Sequence, residues 1–134
     1  MWDTFTRSHH HFYNFDLEGI RRLFISVIGK AKHEGNSKSW SNAMQVHVAR
    51  HLLTALYAFR SPHGEKILPQ DVMIISPYKD QMKLVNTVFN GYKVGFRDNL
   101  TVDASHGQEA KLVIFLMTKP SDDDGYRSGF LVEL

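Results

Sequence analysis

The sequence predicts an α/β domain built on a parallel sheet, and three observations carry that prediction. Short apolar runs at residues 23–28, 72–75 and 112–117 have the length and branched composition of buried strands, and turn-forming residues bound them. Residues 42–59 and 77–89 instead repeat apolar side chains at the 3.6-residue helical period. Strand, helix and returning strand over residues 72–102 make a right-handed crossover unit, which sets its two strands parallel.

A chain of 134 residues has room for one domain and one core. Residues 1–20 read as an N-terminal extension or linker, and residues 21–134 as the domain. Within the extension, consecutive histidines at 9, 10 and 11 alternate sides on an extended chain. At most two of them reach one metal, and no acidic or cysteine partner stands at useful spacing, so a surface segment is the simpler reading. The N-terminus has no apolar signal region, no run spans a bilayer, and no cysteine is present for a disulfide or thiolate site. The expected setting is intracellular, nucleus or cytoplasm, away from membranes. Net charge is only +2, without a basic stripe. A polynucleotide would therefore meet this domain as one wall of a larger cleft.

Taken in order, residues 23–28 form a first buried strand closed by Gly29, and residues 30–41 a polar loop. Asn42 caps the first helix, and Gln45 stands where a capping-box partner belongs. Val46, Ala49, Leu53, Leu56 and Phe59 point inward, while His47 and His51, one turn apart without a third ligand, belong to the solvated face. Turn residues at 61–64 end the helix, and Pro69 opens a turn into the strand at 72–75. Ser76 as N-cap and Pro77 at the first helical position start the second helix, with Met82, Val85, Val88 and Phe89 inward and Asn90-Gly91 as the stop. Residues 92–96 have weak strand character, and residues 100–102 form the strand parallel to 72–75. After the strand at 112–117, residues 119–129 read as a polar tail whose three successive aspartates are a solvated loop.

The loop at 101–109 is the expected ligand-facing segment. In an open α/β sheet the ligand crevice lies beyond the carboxyl ends of the strands, and this loop carries hydroxyls, backbone N–H groups and a carboxylate.

Two stretches in this order, Ile74-Ile75-Ser76-Pro77-Tyr78-Lys79-Asp80-Gln81 and Thr101-Val102-Asp103-Ala104-Ser105-His106-Gly107-Gln108-Glu109, resemble motifs IV and V of superfamily 1 helicases in the up-frameshift-like group. Ser39-Trp40-Ser41-Asn42-Ala43-Met44-Gln45 is similar to the S-x-x-N-x-x-E that opens a helix in that group, and Gly129-Phe130-Leu131 to the G-F-L before motif VI. The resemblance covers roughly residues 23–131. It implies a truncated form of the second RecA-like domain, a three-layer parallel sheet flanked by helices, with ATP and Mg2+ held against a first RecA-like domain. It also implies that Gly107 and Glu109, with His106 and Gln108, meet the nucleotide, and that Ser76, Pro77, Tyr78, Lys79 and Thr101 line a track for single-stranded RNA or DNA. A hydroxyl at a helix start and another at a strand end can both donate to phosphate, and Glu109 can accept from a ribose hydroxyl.

The sequence departs from the group at His106, where glutamine is usual, at Ser76 for threonine, and at Gln45 for glutamate. It contains no G-x-x-x-x-G-K-S/T phosphate loop and no D-E-x-x box, and it ends before the arginine-bearing motif VI. No residue is therefore assigned a catalytic or metal-ligating role, and the chain alone is expected to hydrolyse nothing. The leading reading is a piece of an ATP-dependent helicase; the alternative is a degenerate domain kept as a protein-interaction module. Missing elements at the end would bare a sheet edge and lower solubility.

Overall fold

The computed structural model describes residues 22–33, 38–60, 64–119 and 127–134. The extension with its histidines, the turn at 61–63 and the three aspartates lie outside them. Strands β1 (Arg22–Ile28), β2 (Val72–Ile75), β3 (Asp98–Leu100), β4 (Leu112–Leu116) and β5 (Arg127–Glu133) form one sheet in the order β1-β5-β4-β2-β3. Helix α1 (Ala43–Ala58) follows β1, and α2 (Lys79–Gly91) joins β2 to β3. The α/β architecture is RecA-like, as expected.

The sheet is mixed rather than wholly parallel. Strands β2, β3 and β4 run parallel, whereas β5 lies antiparallel between β4 and β1. The expected polar tail thus turns into a strand at Arg127, where Ser128 and Gly129 conceal an alternation that buries Phe130 and Val132. Strand β1 is also not buried on both sides. It pairs only with β5 and alternates, leaving Phe24 52% and Ile28 69% exposed, because an apolar run does not distinguish a one-faced strand from a two-faced one. Residues 92–96 form no strand; the chain turns through Lys93 at φ 56.

Register explains the core. Leu23 pairs with Val132, Val132 with Ile114, and Ile114 with Ile74, so one row of apolar side chains crosses four strands on a single face. Ile25, Phe130 and Leu116 form the next row. Against this face α1 sets Val46, Ala49, Leu52, Leu53 and Leu56, and α2 sets Val85 and Phe89, all in one cluster. Each large side chain buried there contributes about 1.5–3 kcal/mol.

Helix α1 begins as expected: Asn42 Oδ1 accepts from Gln45 N–H at 3.3 Å. Helix α2 does not. Ser76 is fully buried and still belongs to the sheet, its N–H donating to Leu100 O at 2.9 Å, so the helix starts two residues after Pro77, with Tyr78 as an N-cap that makes no side-chain bond. Ser39 supplies the missing cap from the other motif, its Oγ accepting from Asp80 N–H at 3.0 Å.

Candidate functional site

At the carboxyl end of the sheet lies a buried polar hub of Asn42, Gln45, Gln81 and Thr118, each fully inaccessible. Asn42 Nδ2 donates to Gly29 O beyond β1 at 3.2 Å and to Thr118 O beyond β4 at 3.1 Å. Gln81 brackets the Asn42 backbone, accepting from its N–H at 2.8 Å and donating to its carbonyl at 3.3 Å. Gln45 does the same to Thr118 instead of closing a capping box with Asn42. Two strand ends and two helix starts are thereby tied together, and satisfied buried networks of this kind fix geometry. The Asn42 and Gln81 motifs meet here as scaffold.

On this scaffold the nucleic-acid candidates gather. Ile75 pairs with Leu100, so Ser76 and Thr101 leave adjacent strands side by side. Pro77 and Lys79 are exposed, Tyr78 and Thr101 half-buried. Thr101 Oγ1 accepts from Ala104 N–H at 3.3 Å, which leaves its own proton free to donate. Ser76 stands behind this rim; its buried Oγ has no partner among the described residues.

The nucleotide candidates are split from that rim. Ser105 N–H donates to Val102 O at 3.2 Å, and also to Thr101 O at 3.0 Å, holding the first part of the loop as a 3-10 turn, Asp103–Ser105, at the carboxyl end. His106 (φ −58, ψ 130) and Gly107 (φ 76) then form the centre of a type II turn closed by Gln108 N–H to Ser105 O at 3.0 Å, a position that needs glycine. The chain next descends to the amino end, where Arg97 donates to Glu109 O at 2.8 Å while Arg97 N–H donates to Val72 O at 2.9 Å. Hydroxyl and carboxylate are therefore not presented together, contrary to the reading of the loop as one ligand-facing unit. Glu109 lies with Gln70, Asp71, Arg97 and Lys111 around a shallow depression of about 360 Å³, and its exposed carboxylate has no partner among the described residues.

A larger feature was not legible in the sequence. An open groove of about 780 Å³ runs between the turn after β1 and α2, with Lys30, Lys32, His33, Trp40, Asp80 and Lys83 among its walls. The His33 and Trp40 rings lie 4.4 Å apart and tilted by 54°, and Lys119 Nζ stands 4.9 Å from the Trp40 ring centre. These groups come from separate segments, so no local stripe announces them; the pair Lys79 and Lys83, one helical turn apart, was the available signal.

Elsewhere His47 packs edge-on against Tyr92, and His51 Nε2 is bonded to Arg50 at 3.0 Å. Among the described residues no cluster of three metal-ligating side chains occurs, and no helix is long and apolar enough to cross a membrane.

A family model described as an AAA domain matches residues 3–134. The chain belongs to that family. Its similarities join this AAA domain to the superfamily 1, up-frameshift-like helicases. It is 27% identical over 128 residues to mov-10-B.2 of Danio rerio, named as a helicase, covering 85% of this chain and 12% of that protein. Armi of Drosophila melanogaster, named as an RNA helicase, is 25% identical over 75% of this chain and 8% of its own length. Helicase SEN1 of Saccharomyces cerevisiae is 27% identical over 82% of this chain and 5% of its own length. The AAA domain thus spans 12% or less of these relatives.

Proposed function

We propose that this chain works as part of an ATP-dependent helicase inside the cell, forming one wall of a single-stranded RNA or DNA track and one wall of the ATP cleft. The observation that carries the track is the Ser76 N–H bond to Leu100 O, which aligns the two motif segments so that Lys79 and Thr101 share an exposed rim. A mobile cation and a free hydroxyl proton suit phosphate and ignore base identity. ATP and Mg2+ require a first RecA-like domain to supply the lysine, the backbone cradle and the acidic magnesium ligand. Glu109 is this chain's group toward the ribose, and Gly107 permits the turn in which His106 and Gln108 are exposed. Titration of the chain with a labelled single strand across a salt series tests the track. Lys79→Ala should lower the slope of log affinity against log salt by about 0.7. Unchanged affinity and slope would overturn it in favour of the interaction module, which no specific observation supports.

A further inference from the structure

We propose that the groove between the turn after β1 and α2 binds single-stranded nucleic acid, stacking a base on Trp40 and taking phosphates on Lys30, Lys32 and Lys83. This rests on the track proposed above and extends it along α2 to residues outside either motif's assigned contacts. Lys30, Lys32 and Lys83 are exposed, converge on one concavity and carry no ion pair among the described residues, and Asp80 is the single acid among the described residues that line it. Uncompensated positive charge in a groove attracts an anion. A second observation specifies which anion. Trp40 and His33 enter the same groove as a tilted aromatic pair, and an aromatic platform beside basic side chains is the combination that holds a sugar-phosphate strand with its bases. Lys119, now over the indole, is displaced by a stacked base and becomes free for phosphate. Continuity favours a strand over a single nucleotide, because Lys79 on the rim and Lys83 in the groove stand one turn apart on α2.

The sequence has two tryptophans, so Trp2→Phe leaves Trp40 as the only indole. In that variant a uridine oligomer of about ten nucleotides should quench the fluorescence saturably, matching the site sizes of single-strand binders. Trp40→Ala should weaken binding about five- to a hundredfold, the range for loss of one stacked base, and Trp40→Phe should restore most of it. Lys32→Ala and Lys83→Ala, surface changes that leave the core intact, should each lower the salt slope by about 0.7. If Lys79→Ala weakens binding while Trp40→Ala and Lys83→Ala do not, the groove proposal falls and the track stands. If the oligomer does not bind at all, both fall. Quenching by uridine monophosphate or by a polyglutamate peptide at the oligomer's affinity also overturns the strand proposal.

Discussion

Gln45 holds both backbone polar groups of Thr118: its Oε1 accepts from the Thr118 N–H at 2.9 Å and its Nε2 donates to the Thr118 carbonyl at 3.4 Å. Thr118 sits at φ 68, a left-handed conformation uncommon for a branched residue, just where β4 ends. The amide makes both bonds at once, which an ionised carboxylate cannot. Where the helicase group usually has glutamate, a carboxylate would keep the first bond and turn the second into a buried contact between two oxygens.

Gln45→Glu should therefore destabilise the domain more than its small change in shape suggests, and more so at neutral than at acid pH, where the protonated carboxyl can again donate. Gln45→Ala leaves the buried Thr118 N–H unpaired, at about 1–3 kcal/mol, while the Thr118 carbonyl keeps its bond from Asn42 Nδ2. Urea unfolding at pH 7 and pH 4 checks this: equal stability of Gln45→Glu and wild type at pH 7 would show that the clamp is dispensable.

The parts legible in the sequence were those set by periodicity. β2, the inward Val85 and Phe89 of α2, and the cap at Asn42 followed from local pattern alone. What escaped was set by neighbours distant in sequence. Ser76 has the residue type and spacing of a helix cap, yet a sheet bond to Leu100 outcompetes the cap. Gln81 reads as a polar helix position until its bonds to Asn42, 39 residues away, account for its burial. Glu109 could have been located by topology: β3 and β4 are both parallel to β2, so the segment joining them must run from the carboxyl end to the amino end, and a residue just before β4 arrives there.

At Gly129 the pairing of β5 with β1 leaves no room for a side chain. A Cβ there would run into the Ile25 carbonyl and into the Phe24 ring at 2.7 Å, and backbone paired along seven residues cannot withdraw. Gly129→Ala should cost at least the 1–3 kcal/mol typical of overpacking, lowering Tm by several degrees. Phe24→Ala in the same chain should not rescue it, because the carbonyl remains. A double variant as stable as Phe24→Ala alone would assign the clash to the ring.

The chain by itself should show no ATP hydrolysis above background, since phosphoryl transfer needs a phosphate cradle and a held magnesium ion. Glu109 should matter when a first RecA-like domain is supplied. A hydrogen bond from ribose to its carboxylate is worth about 1.5–3 kcal/mol, so Glu109→Ala in the two-domain protein should weaken ATP binding on the order of tenfold or more. Fluorescent-nucleotide titration reads it directly; equal affinities would exclude Glu109 from the nucleotide, as its position at the amino end of the strands already makes testable.

Ser76 offers the sharpest separation of folding from function. Its hydroxyl is fully buried without a partner among the described residues, and a buried unpaired hydroxyl weakens the fold instead of supporting it. Ser76→Ala removes that polar atom and little volume, while the backbone bond to Leu100 is kept. Stability should be unchanged or raised by up to about 1–3 kcal/mol, the range for an unsatisfied group. If the hydroxyl is retained for the track, a phosphate on the Lys79 and Thr101 rim is what it turns to meet, and Ser76→Ala should weaken single-strand binding without altering the salt slope, because no charge is lost. Thr101→Ala should do the same from the surface side, at the added expense of its bond to Ala104 N–H. Thermal melts and salt-series titrations on the same samples decide the matter. A Ser76→Ala chain that is less stable and binds as well as wild type would show that the hydroxyl serves packing alone and that the rim begins at Pro77.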